Sequence, residues 1–200
     1  MKSGQVLFDK NSSLLLQEIK GILEKNVSEQ AIAAAKKFVP GAQKIYGVRN
    51  PVLNELAKKY KHGGFDLIKA LWESGAFEEK ILAAKMLGKI ANTNSKKSFE
   101  LVEMFSNGID NWAVCDTLGM QSLQPLRKKY PKEIFSLANK YVTSEDLWKR
   151  RLSLVLIEWY TRDKSFHEQI KSLITALEND KEYYVKKAVV WIKRNLQKGK

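Results

Sequence analysis

Apolar positions along the chain recur at helical spacing almost throughout. Leu152, Val155, Leu156 and Trp159 fall at i, i+3, i+4 and i+7. Val185, Ala188, Val189, Ile192 and Leu196 repeat the pattern, which marks one buried face of a helix. No run shows convincing strand-type alternation. N-cap residue types stand where helices are expected to start: Ser28, Ser95, Asp110 or Asn111, and Ser144. Breaks fall at Gly63-Gly64, Gly75, Asn92 to Asn94, Gly108 and Asn179-Asp180, and Pro40, Pro51, Pro125 and Pro131 all suit helix boundaries. The pattern predicts about a dozen helices of moderate length joined by short turns.

Three helix openings look alike: Phe77-Glu78-Glu79-Lys80, Leu147-Trp148-Lys149-Arg150 and Tyr183-Tyr184-Val185-Lys186. The last two begin 36 residues apart, which suits a two-helix repeat. The expected fold is an all-α, HEAT-like solenoid of antiparallel helix pairs, curved, with a basic concave face. No linker interrupts it, so residues 1–200 are expected to form one domain.

Charge sharpens this picture. Lys and Arg outnumber Asp and Glu by 35 to 22, for a net charge of +13. The excess is uneven: residues 148–200 hold thirteen cations against six acids, and residues 101–147 hold five against six. Late helices concentrate Lys149, Arg150, Arg151, Lys186, Lys187, Lys193 and Arg194. Equivalent helices of a solenoid line one surface, so a basic stripe there would match a phosphate backbone.

Several classes of chemistry drop out. The chain has no Walker A loop, no GxGxxG and no HExxH. With His62, His167 and the single Cys115, a zinc site is not expected, and no disulfide can form within the chain. Cys115 reads as a small buried hydrophobe. Met1 to Lys10 lacks the apolar run of a signal peptide, and no segment reaches the roughly 18 apolar residues of a membrane span. A cytoplasmic monomer is the expectation.

One constellation remains. Trp112 and Asp116 are one helical turn apart and share a face, nearly opposite the apolar Val114 and Leu118. Taken alone, the pair also fits a Trp packed on a neighbour and an Asp paired with a surface Lys. Arg151 lies about 100° off the stripe of its helix, and Trp191 is offset from its own stripe in the same sense. Trp148 and Trp159 lie on their stripe and read as core. Tyr183 and Tyr184 suit either stacking on nucleic acid or packing on the next helix.

These residues, in this order, resemble the AlkD-type DNA alkylation repair family of HEAT-like DNA glycosylases. The matching pieces are Tyr46-Gly47-Val48-Arg49-Asn50-Pro51 with Leu53 and Leu56-Ala57-Lys58, then Asn111-Trp112 with Asp116. Trp148-Lys149-Arg150-Arg151 follows, and then Lys187-Ala188 with Trp191. The resemblance covers about residue 45 to the end. It implies that Trp112, Asp116 and Trp191 are catalytic, with Arg151 beside them. Arg151 together with Arg150, Lys149, Lys186, Lys187 and Arg194 of the basic stripe is the expected DNA surface. The resemblance also implies release of cationic alkylated purines, such as 3-methyladenine and 7-methylguanine, from double-stranded DNA without base flipping, and no metal or cofactor. Two departures stand out: the sequence ends at Lys200, sooner than is common in the family, and Asp110 and Cys115 flank the Trp112–Asp116 pair.

Two other functions fit the same fold: a non-catalytic binder of DNA structure, and a protein-interaction scaffold. A carboxylate aimed at phosphates would weaken a pure binder, which favours the enzyme. The basic late helices disfavour the scaffold.

Overall fold

The computed structural model describes residues 10–198. The leader reading at the N-terminus and the chain end at Lys200 fall outside that range. The helices are α1 (Lys10–Lys25), α2 (Glu29–Phe38), α3 (Asn50–Tyr60), α4 (Gly64–Glu73), α5 (Phe77–Ile90), α6 (Ser95–Ser106), α7 (Trp112–Gln121), α8 (Pro131–Val142), α9 (Leu147–Ile157), α10 (His167–Leu177) and α11 (Tyr183–Lys198). Short 3-10 turns join several of them, and the fold is an all-α helical repeat. The chain divides into two compact units, one ending at Ile90 and one beginning at Ala91.

In the first unit α5 packs against α3 and α4, and α1 covers α4. The core draws Leu67, Ile68 and Leu71 from α4, Leu82, Met86 and Leu87 from α5, and Leu53 and Tyr60 from α3. Each such aliphatic side chain stabilises the unit by about 1.5–3 kcal/mol on transfer grounds. The turn before α3 is organised by a carboxylate. Glu78, buried at the start of α5, accepts hydrogen bonds from the backbone amides of Tyr46 (2.9 Å), Gly47 (2.7 Å) and Val48 (3.1 Å). The Tyr46 hydroxyl donates to Glu79 at 2.6 Å. Gly47 has φ +83°, and a Cβ there would lie 2.3 Å from Ile32 Cγ1, so only glycine fits. The Tyr46–Pro51 motif is therefore a carboxylate-clamped turn that leads into α3.

In the second unit α9 lies centrally, against α7, α8 and α11. The repeat is more regular than the sequence pattern suggests. Helices α5, α7, α9 and α11 begin at Phe77, Trp112, Leu147 and Tyr183, 35 to 36 residues apart, so Trp112 joins the series of openings. Ser28 caps α2 and Asn111 caps α7, accepting from the Ala31 and Val114 amides. Two expected caps sit elsewhere. Asn94, one residue before Ser95, caps α6 through the Lys97 amide. Asp146, two residues after Ser144, caps α9 through the Trp148 amide. Ser144 supports that turn instead, its hydroxyl accepting from the Asp146 amide. A run of several competent caps before a helix leaves the choice to tertiary packing.

Candidate active site

Helix α7 carries Trp112 at its first position and Asp116 one turn later. Val114, Cys115 and Leu118 are buried on its inner side, and Trp112 and Asp116 are partly exposed. The cap places the pair: Asn111 is fully buried, holds the Val114 amide through its side-chain oxygen, and donates from Nδ2 to Asp110 at 2.7 Å. Asp110 thus braces the capping residue.

Helix α7 approaches α9 closely because residue 119 is glycine. A Cβ there would fall 2.7 Å from Val155 Cγ1 and 3.0 Å from Leu152 Cδ1. One turn earlier, Cys115 is buried with Sγ 3.6 Å from the Trp148 carbonyl. Burial pushes the Cys115 thiol well above its ordinary pKa, so it is an inert packing group.

At that close approach Arg151 reaches across from α9. Its Nε donates to Asp116 Oδ1 at 2.9 Å and its Nη2 to Oδ2 at 2.8 Å, a bidentate pair. Its Nη1 donates to the Tyr184 carbonyl on α11 at 2.7 Å. One guanidinium therefore ties three consecutive openings of the repeat together. Arg151 was expected on an open face from its angle off the apolar stripe; α7 and α11 cover it instead, and its side chain is 8% exposed against 20% for Asp116. Three of its five N–H groups are used in these bonds.

Burial raises the Asp116 carboxyl above its ordinary pKa, while the hydrogen bonds and charge of Arg151 hold it down. Burial alone would lower the Arg151 guanidinium, but Asp116 outweighs it and keeps the group firmly charged. The outcome is a partly desolvated carboxylate with one lone-pair side of each oxygen engaged.

Helix α11 supplies the Tyr184 carbonyl that Arg151 reaches. Tyr184 and Trp191, seven residues apart, share a face. The Tyr184 ring lies 5.2 Å from that of Trp148 and 5.1 Å from that of Tyr183. Tyr184 thus packs on its neighbour, whereas Tyr183 stays exposed, with Lys187 Nζ 5.3 Å from its ring centre. Trp191 is half-buried, and so are Trp148 and Trp159, both read from sequence as core.

The expected phosphate-binding cations divide into two sets. Lys186, Lys187 and Arg194 are exposed on α11. Lys149 donates to Asn107 at 2.6 Å. Arg150 does not stand in an open stripe: it donates to Asp180 Oδ2 at 2.6 Å and Oδ1 at 3.3 Å, and to the carbonyls of Ser144 and Glu145 at 2.9 and 2.8 Å. Sequence reasoning missed Asp180, Gly119 and the Tyr184 carbonyl. A glycine in mid-helix was the one visible signal.

A groove of about 680 Å³ in the same unit, lined by residues such as Phe99, Tyr130 and Leu137, includes none of these side chains. Among the described residues no set of three metal-ligating side chains converges, and no helix is long and apolar enough to cross a membrane. A family model described as DNA alkylation repair enzyme matches residues 19–200. No curated protein matches the chain.

Proposed function

The chain belongs to the DNA alkylation repair enzyme family, and from that premise we propose that it is a DNA glycosylase that hydrolyses the N-glycosidic bond of cationic alkylated purines in duplex DNA. The observation that carries this reading is the Asp116 carboxylate, partly buried and held in a bidentate grip by Arg151. N3- or N7-alkylation makes the purine a good leaving group, so no strong general acid is needed. As the C1′–N bond breaks, its electron pair passes to the purine ring and neutralises the charge there. Positive charge then develops on the sugar, where Asp116 stabilises it and accepts a proton from the water that attacks C1′. Trp112 and Trp191 offer π-faces to the same charge.

Arg151 orients Asp116, and its two remaining N–H groups suit a backbone phosphate beside the lesion. Exposed Lys186, Lys187 and Arg194 supply sequence-independent attraction for the duplex. The resemblance implies that the base is not flipped, and no metal or cofactor enters the scheme. The cytoplasm and a monomeric state remain part of the proposal.

The test is base release from methylated duplex DNA by the parent protein and by Asp116→Asn. The parent should release 3-methyladenine or 7-methylguanine, and the variant should lose about 100-fold or more in single-turnover rate. Salt-sensitive duplex binding without release by the parent would instead identify a non-catalytic DNA binder.

A further inference from the structure

Asp180 stands in the turn between α10 and α11, and its side chain is only 7% exposed. It holds Arg150 through both carboxylate oxygens, and its Oδ1 also accepts the Glu182 amide at 2.9 Å, just before α11 begins. Arg150 meanwhile grips two carbonyls of the turn that precedes α9. Four of its five N–H groups are used in this way. The pair is a clasp that fixes the first turn of α11 against the start of α9.

The next residue along α9 is Arg151, whose Nη1 reaches the Tyr184 carbonyl in that same first turn of α11. The two adjacent arginines therefore share one task. Arg150 anchors the turn from outside, and Arg151 spans from it to Asp116. A shift of the α11 start would pull the Tyr184 carbonyl off Arg151, and Arg151 would lose one of the two supports that aim it at Asp116. Trp191 would move with the helix.

We propose that Asp180 and Arg150 are positioning residues for the base-release reaction, acting through Tyr184, Arg151 and Asp116, and that Arg150 is not a phosphate ligand. The proposal rests on the glycosylase reading for its catalytic half alone. Placement errors near 1 Å can cost about 100-fold in rate, so a loss of about tenfold is expected from a loosened clasp.

The two roles for Arg150 predict opposite signs at Asp180. If Arg150 binds phosphate, Asp180→Ala frees it and removes a negative charge, so duplex affinity rises. If the pair is a clasp, Asp180→Ala and Arg150→Ala each slow single-turnover release at saturating enzyme by about tenfold, and the double variant is no slower than either, because the two changes break one interaction. The slope of log affinity against log salt should stay at the parent value in all three, whereas loss of a phosphate contact would reduce it by about 0.9. The acid limb of the release rate should also move in each variant, since Arg151 controls the Asp116 carboxyl. Asp180→Asn, which keeps an acceptor for the Glu182 amide, should recover part of the rate and separates the clasp from mere capping of α11.

Additive rate losses, or a reduced salt slope in Arg150→Ala with tighter binding in Asp180→Ala, overturn the proposal. If the parent releases no alkylated purine, the glycosylase reading fails by itself, and the clasp is judged by amide hydrogen exchange. Faster exchange at residues 182–188 in both single variants then supports it, and unchanged exchange overturns it.

Discussion

Glu78, in the first turn of α5, and Asp116, one turn into α7, are both acidic residues near the starts of helices that open the repeat, and the structure treats them differently. Glu78 is 1% exposed and accepts three backbone amides from the turn at residues 46–48. Asp116 keeps a fifth of its side chain exposed, and the guanidinium of one side chain engages it. A carboxylate ringed by main-chain donors fixes the path of the chain and has little capacity left for a reactant. A carboxylate held by a single side chain keeps lone pairs free on its outer edge and has a pKa that its partner can tune. The same functional group is a structural rivet in one unit and, under the proposed function, the reactive group in the other, and the kind of donor makes the difference.

The largest consequence is on stability. Glu78→Ala strands three buried or half-buried amides and should cost about 3 kcal/mol or more, read from the denaturation midpoint. Asp116→Asn keeps one oxygen acceptor for Arg151 and should cost about 1–2 kcal/mol while removing most activity. If Glu78→Ala proved no more destabilising than Asp116→Asn, the contrast between rivet and reactive group would collapse. Next in size is Gly119→Ala. Its new methyl must displace Val155 or Leu152, an overpacking that costs about 1–3 kcal/mol, and it widens the gap that Arg151 spans. Release should therefore slow even where the variant is fully folded. A folded Gly119→Ala with parental rate would show that the approach of α7 to α9 does not set the Asp116 geometry.

Much of this was legible in the sequence, and the limits have a common cause. The helices, the Asn111 cap and the shared face of Trp112 and Asp116 depend on neighbours within a turn or two, which the 3.6-residue period exposes directly. The burial of Arg151 does not. The 3.6-residue period sets Arg151 about 100° off the apolar stripe, yet α9 is buried all round from Arg151 to Ile157, and the cover over Arg151 comes from residues 33 and 35 positions away, Tyr184 and Asp116. The partner of Arg150 is likewise 30 residues on. A basic run therefore reads as one stripe in sequence, although two of its arginines are held in ion pairs, Lys193 pairs with Glu178, Lys149 bonds Asn107, and only Lys186, Lys187 and Arg194 of the run are exposed. The caps of α6 and α9 went to Asn94 and Asp146 for the same reason: several residues were competent locally, and packing chose among them.

The Asp116 half of the comparison also has a pH signature. Burial holds its carboxyl above the ordinary value of 3.8, against the pull of Arg151. A raised folded-state pKa means that the stability tied to this group is present below the unfolded value and is lost as pH rises through the folded one. In the proposed mechanism activity runs the other way, because the ionised form stabilises the sugar charge and accepts the proton. Release should thus fall on acidification at a pH above the ordinary carboxylate range. In Arg151→Ala the hydrogen-bond and charge effects that lower the pKa are both gone, so the limb should move further up. A limb that stayed in place, measured from single-turnover rates against pH, would detach the carboxylate's ionisation from its one charged partner.

The smallest effect concerns how DNA reaches this carboxylate at all. An acid facing a phosphate backbone repels it, so the approach needs cations that remain free after the fold has used its own. On α11 the exposed cations include Lys186, Lys187 and Arg194, on the helix whose first turn supports Arg151. Phosphate contacts carry no sequence information, so Lys186→Ala and Lys187→Ala should each weaken binding several-fold, about equally for every duplex, and lower the salt slope by about 0.9. The single-turnover rate at saturation should not change in Lys187→Ala, because Lys187 touches neither Asp116 nor Arg151. A loss confined to one sequence would point to base contacts. A loss of rate at saturation would mean that the charges outside the ion pairs, and not only those within them, position the carboxylate for reaction.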